Sequence, residues 1–204
     1  MIKGAIGVFD SGIGGIPVLV KLKKAFPEDD FIYLGDNGNV PYGNKSAEEI
    51  YRLTLFNVKK LIRAGAGVIV IACNTASLNW RGGNALNGVN VIKLIPYVDE
   101  KYLNASGIFL GTASSVGECK RSGIFSSFSR TAFIPLENLA AEVENKLGGG
   151  EGIVLSDHFL TTVEKPVFLY LGCTHYLYIQ EELKAYTGAE TTLDGIDRII
   201  ENII

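Results

Sequence analysis

Seven short apolar runs punctuate the chain: AIGVF (5–9), FIYL (31–34), GVIVIA (67–72), VIKLI (91–95), GIFL (107–110), TAFI (131–134) and VFLYL (167–171). Bounded by Gly, Pro, Asn or Asp, they predict strands buried on both faces, as in parallel sheets. A half-exposed strand would instead alternate apolar with polar residues.

Amphipathic stretches lie between these runs. The clearest covers 47–64, opened by an S-x-x-E capping box of Ser46 and Glu49 and expected to stop at Gly65 and Gly67. An earlier one carries Pro17 in its first turn, where a missing N–H costs nothing, with Val18, Leu22, Ala25 and Phe26 on one face. Strands alternating with helices predict an α/β fold with right-handed crossovers. Ligands of such sheets gather beyond the carboxyl ends of the strands, so the loops starting at Asp10, Asp36 and Cys73 are the first candidates.

The pattern then repeats itself. GVFDSG at Gly7 is echoed by GIFLGT at Gly107, FIYLGD at Phe31 by TAFIPL at Thr131, and the cysteine of IVIACNTA by that of FLYLGCTH, each 100 positions on. We read two similar halves, 1–96 and 97–194, with a trailing segment 195–204 that rejoins the first. The join falls within 96–106, where the pattern restarts.

Composition narrows the function. At 204 residues with 47% hydrophobic and 20% charged positions, the chain suits a packed protein. A net charge of -3 offers no basic field to a phosphate backbone, so nucleic acid is not expected as the main partner. No apolar run is long enough to cross a bilayer, and Asp10 interrupts any early export signal; no membrane role and a cytoplasmic setting are expected. Cys73, Cys119 and Cys173 cannot all pair, and none has metal-ligand spacing, which disfavours a disulfide scaffold and a structural zinc. Pro17 stands where a dinucleotide fingerprint would need Gly, and no P-loop occurs, so neither NAD nor ATP is expected.

A lone cysteine after a strand is ordinarily a packed, inert residue, as expected for Cys119. Cys73 and Cys173 differ because both their position and their polar followers match: Asn74, Thr75 and Ser77 after one, Thr174 and His175 after the other. If the halves face each other across a pseudo-two-fold axis, the two thiols reach one cleft from opposite sides. That placement suits racemisation, which needs one group to take a proton from a chiral carbon and another to return one on the opposite face. A thiolate serves as base and a thiol as acid.

Four blocks make the chain resemble a known family. DSGIGG (10–15), YLGD (33–36) with PYG (41–43), ACNTAS (72–77) and LGCTHY (171–176) resemble, in order, the signature blocks of glutamate racemases in the cofactor-independent aspartate/glutamate racemase family. The resemblance implies two α/β domains with the active site between them, paired bases Cys73 and Cys173, and Asp10 and His175 as their auxiliary groups. It further implies substrate contacts from Ser11, Pro41, Tyr42, Gly43, Asn74, Thr75 and Thr174. Glutamate would be the small-molecule substrate, D-glutamate for peptidoglycan the product, and neither pyridoxal phosphate nor metal would be required.

Blander roles stand beside these: Asp10 or Ser11 as helix caps, Tyr42 as a brace for the Pro-Gly turn, and His175 as an outlying histidine, the role also expected of His158.

Departures from the family pattern are also legible. Asn37, Gly38 and Asn39 replace a hydroxyl residue and a basic one, Pro96-Tyr97 stands for Glu-Pro, Glu137 fits its acidic position loosely, and Ser115 replaces Thr. The family continues past this length with a further strand and helix, so Ile199, Ile200, Ile203 and Ile204 are expected to dock on the first half or on a second copy in a homodimer. An aspartate racemase and a shortened, non-catalytic amino-acid- or protein-binding relative are the alternatives.

Overall fold

All seven apolar runs form strands, and two more join them. The computed structural model describes residues 4–127, 130–150, 152–155 and 165–203. The first sheet holds β1 (Ala5–Asp10), β2 (Phe31–Gly35), β3 (Ala66–Ile71), β4 (Ala85–Leu86) and β5 (Val89–Lys93), ordered β2-β1-β3-β5-β4. The second holds β6 (Gly107–Gly111), β7 (Thr131–Pro135), β8 (Phe168–Gly172) and β9 (Thr191–Leu193), ordered β7-β6-β8-β9. Every pairing is parallel except β4 with β5.

Helices cover both faces. In the first sheet Phe9, Ile69 and Ile71 pack toward Ile50, Val58 and Leu61 of α2 (Ala47–Arg63). The alternate positions Ile6, Val8 and Val70 pack toward Val18 and Leu22 of α1 (Ile16–Ala25). That period of two, apolar on both sides, is why the runs read as continuous. After the short α3 (Asn74–Leu78), the second sheet repeats the plan. Ile108, Leu110, Leu169 and Leu171 meet Leu139 and Val143 of α5 (Leu139–Leu147), while Phe109 and Tyr170 meet Val116 and Cys119 of α4 (Ala113–Ser122). Cys119 is thus packed in a core.

Ser46 caps α2 by accepting from Glu49 N at 3.2 Å. Gly65, at φ +99°, follows the end of that helix, whereas Gly67 lies inside β3 and stops nothing. Pro17 sits in the first turn of α1, but Ala25 is exposed and Leu19 takes its place in the apolar stripe.

The 100-residue repeat needs a correction of one position. Gly7 pairs with Ile32 and Phe9 with Ile71, but Gly107 pairs with Thr131 and Phe109 with Tyr170. The second and third strands of each trio keep the offset while the first is displaced by one. Asp10 therefore holds the place of Gly111, and Ser11 that of Thr112.

The chain crosses between the sheets twice, after β5 and after β9, and the crossings run together. Tyr170 OH accepts from Tyr97 N at 3.2 Å, and a Cβ on Gly195 would collide with the same hydroxyl. Gly195, at φ +76°, opens α7 (Ile196–Ile203), whose buried Ile196 and Ile199 join Val18 and Leu22 in the core under the first sheet. Ile200 and Ile203 pack partly against the same cluster; Ile204 lies outside the described residues.

Candidate active site

Parallel strands of both sheets end at one cleft. β1 delivers Asp10 and Ser11, β3 delivers Cys73 with Asn74 and Thr75 at the start of α3, and β8 delivers Cys173 ahead of a 3-10 turn, Thr174–Ile179. The loop after β2 brings Pro41, Tyr42 and Gly43. Of the eleven residues that the resemblance assigns to the site, all but Asp10 line one cavity; Thr112 and Ala140 complete the wall. The volume open to the centre of a water molecule is about 10 Å³, roughly room for a single water. The sheets stand closed on one another.

Cys73 donates to Ser11 Oγ at 3.5 Å, and Cys173 Sγ faces His175 Nδ1 at 3.7 Å. Burial, reinforced by the charge of Asp10, pushes the Cys73 thiol up to about 12, against the pull of Ser11 and the Ala76 N–H. Cys73 is therefore a thiol at neutral pH. Burial draws the His175 imidazole down, but its bonds to Cys173 and Glu144 and the charges of Cys173 and Asp10 outweigh that and hold it near 10. His175 is an imidazolium, with Glu144 Oε1 2.9 Å from its Nε2. That hydrogen bond from His175 keeps Glu144 below the usual carboxylate range.

Asp10 is fully buried; its Oδ1 accepts from Gly12 N and its Oδ2 from Thr174 Oγ1, each at 3.0 Å. Burial raises its carboxyl above the ordinary range, opposed by His175 and those two donors. Its hydrogen bonds thus go to the loop and to the opposite half, while Ser11 is the residue bonded to Cys73.

Tyr42 presents its ring to the cavity, but its hydroxyl donates to Asp36 Oδ2 at 2.7 Å. Asn57 and Asn39 also donate to that carboxylate, at 3.0 and 2.9 Å. Asn39, one of the departures, thus helps hold the loop, while Asn37 and Gly38 are exposed. Ser77 clasps α3 to its strand by donating to Ile71 O at 2.7 Å. Ser115 shares a hydroxyl cluster with Thr75 and Thr112, its Oγ 3.1 and 3.0 Å from theirs. Asn74 differs from all of these: it is 1% exposed, lines the cavity, and leaves both Nδ2 and Oδ1 without a hydrogen-bond partner. An unsatisfied buried amide costs about 1–3 kcal/mol, a cost that a ligand with both a donor and an acceptor would remove.

The glycines of the DSGIGG block serve close approach. A Cβ on Gly14 would sit 2.6 Å from Thr174 Oγ1 and 2.7 Å from His175 Nδ1, and one on Gly12 would overlap Glu144 Oε1. The loop is shaped to receive the other half.

Glu144 is the residue that the sequence patterns miss. It has no motif, and Glu137, the loosely placed acid, is exposed. The available signal is spacing: Glu144 lies one helical turn beyond Ala140 on α5, and Ala140 lines the cavity. His158 lies outside the described residues. Among the described residues, no group of three or more His, Cys, Asp or Glu is placed to hold a metal ion, and no helix is long and apolar enough to cross a membrane.

No family model matches the chain. A glutamate racemase of Clostridium botulinum (strain Langeland) is 35% identical over 192 residues, covering 89% of this chain and 75% of that protein. The crystal structure of glutamate racemase from Campylobacter jejuni superposes with a TM-score of 0.82 at 26% identity, over 98% of this chain and 84% of that one. Glutamate racemase from Francisella tularensis, solved with D-glutamate, gives 0.80 at 25% identity, over 100% and 80%.

Proposed function

The chain belongs to the glutamate racemase family, and from that membership we propose that it interconverts L- and D-glutamate by a two-thiol proton transfer at Cα. The observation that carries the proposal is that Cys73 and Cys173 line the same cavity.

One thiolate removes the α-proton, leaving the electron pair on Cα, and the opposite thiol donates its proton to the other face. The first sulfur ends protonated and the second as thiolate, so atoms and charge balance and the reverse direction exchange the roles. Cys73, protonated at rest, enters as the acid. Cys173 enters as the base, with the imidazolium of His175 beside its sulfur and Glu144 holding that cation. Asn74 supplies a donor and an acceptor to the substrate's carboxylate and ammonium groups, and Ser11, Thr75 and Thr174 supply hydroxyls. Asp10 tunes the thiol of Cys73 through its charge. The product would serve cell-wall synthesis in the cytoplasm.

A cavity of about 10 Å³ cannot admit an amino acid, so the cleft must open for entry and release. We take the moving units to be 1–96 with 195–204, and 97–194, related by a pseudo-two-fold axis and hinged where the two crossings meet. Closure then excludes water from the carbanion.

The decisive measurement is exchange of the α-hydrogen in deuterated water, followed by proton NMR on L- and D-glutamate and on L- and D-aspartate. Exchange and racemisation of both glutamate enantiomers are expected. Exchange of aspartate alone would make the chain an aspartate racemase, and exchange of neither would remove the activity.

A further inference from the structure

Glu144 sits on α5, beside the second sheet, yet one of its oxygens serves both sides of the cleft. Oε1 accepts from Ile13 N at 2.9 Å and lies 2.9 Å from His175 Nε2. Ile13 belongs to the loop after β1, in the other half. The approach is possible only because Gly12 has no side chain, since a Cβ there would overlap that same oxygen. Tyr178, within the 3-10 turn that follows Cys173, closes the contact from the opposite direction by donating to Ile13 O at 2.9 Å.

Resting on the racemase reading, we propose that Glu144 is a positioning residue that couples cleft closure to the His175–Cys173 pair. The main-chain N–H of Ile13 arrives from the opposite half and fixes the carboxylate on His175 Nε2. When the halves separate, Glu144 loses that donor and its side chain, already 20% exposed, is opened to water, which competes for His175. When they close, the N–H holds the negative charge on Oε1 and the proton stays on the imidazole. The acid–base pair is thereby completed in the closed form rather than in the open one.

The groups facing the imidazole are Cys173 on Nδ1, Glu144 on Nε2 and the Asp10 carboxylate across the cleft. Of these groups only Glu144 bonds to Ile13, whereas Gly12 N also donates to Asp10, which is why exchange at Ile13 is measured beside the Gly12→Ala variant.

The chain has only two histidines, so the ring of His175 can be followed by NMR in the full-length protein, with a His158→Gln variant for assignment. The His175 midpoint should lie well above that of an ordinary histidine in the wild type. It should fall by at least a unit in Glu144→Gln and likewise in Gly12→Ala, with no further fall when the two are combined. A wild-type midpoint in Gly12→Ala beside a lowered one in Glu144→Gln overturns the proposal, because Glu144 would then orient His175 without help from the other half. Amide exchange at Ile13 gives a second measurement that needs no change at position 12: Glu144→Gln should speed it by about tenfold or more, and an unchanged rate overturns the coupling. Both are read without substrate and stand even if the wild type proves inactive on glutamate, whereas in an active enzyme the kcat losses of the two single variants should fail to multiply.

Discussion

Thr174 Oγ1 donates to Asp10 Oδ2 at 3.0 Å, a hydrogen bond that crosses from one half to the other with both residues buried. Asp10→Asn keeps an acceptor for Gly12 N and offers an amide to Thr174, so the fold and its melting temperature should persist within a few degrees. The carboxyl's charge beside Cys73 is lost, and kcat should fall by about 10² in both directions, the lower range for removing an acid–base partner. Steady-state polarimetry checks this; a variant as active as wild type would strip Asp10 of its role.

Removing either sulfur should be more severe. Cys73→Ala and Cys173→Ala should each lower racemisation by at least about 10³ in both directions, because a single remaining thiol cannot serve both faces of Cα. Both residues line the cavity and also belong to the buried cores beside it, but each change removes a single sulfur atom, and near-native circular dichroism is expected. Circular-dichroism assays from L- and from D-glutamate would read the losses, and near-wild-type turnover in one variant would exclude that thiol.

The His175–Glu144 pair predicts how stability depends on pH. The folded midpoint of His175 is raised to about 10, above the unfolded value near 6.5. Its stabilising contribution is therefore fully present below about 6.5 and lost as pH rises through about 10. Burial also raises the Cys73 and Cys119 thiols to about 12 from an ordinary value of 9.0, which adds losses that begin as pH approaches 9 and that His175→Gln shares with the wild type. Urea denaturation between pH 6.5 and 9 should therefore show stability falling with pH in the wild type, by an amount on the order of a kcal/mol or more, and a flatter profile in His175→Gln. Equal slopes would mean that His175 is not charged in the folded protein.

What could be read in the chain and what could not follows from local strength of signal. The seven strands were legible because Val8, Ile69 and Leu169 are apolar neighbours in runs buried on both faces. Residues 85–86 and 191–193 were not, being short and partly exposed, and β4 exists only as the antiparallel partner of β5. The thiols were legible from two matching loops. Glu144 was not, because its importance arises from a long side chain reaching across a tertiary contact, with no residue in its own sequence neighbourhood to announce it. The one-position shift of the first strand was equally hidden: Gly7 and Gly107 align as letters, whereas the backbone ladder alone sets which residues are opposite.

The hydroxyls of Thr75, Thr112 and Ser115 offer a test of closure as distinct from chemistry. Thr75 Oγ1 lies 3.0 Å from Thr112 Oγ1 and 3.1 Å from Ser115 Oγ, so the first half touches the second through a wholly buried cluster at the cavity wall. Thr112→Val keeps the shape but leaves Thr75 with one bond fewer and Ser115 with two, the second being the α4 N-cap bond from Ser115 N at 3.1 Å, so about 1 kcal/mol falls on the helix and a similar amount on the closed form. None of these hydroxyls carries the transferred proton, so the loss should appear mainly in binding. KM for glutamate should rise by about tenfold in both directions while kcat changes by less than threefold, and Ser115→Thr, which restores the family's residue, should leave both parameters near wild type. A Thr112→Val enzyme with normal KM and a collapsed kcat would instead assign this cluster to the chemical step.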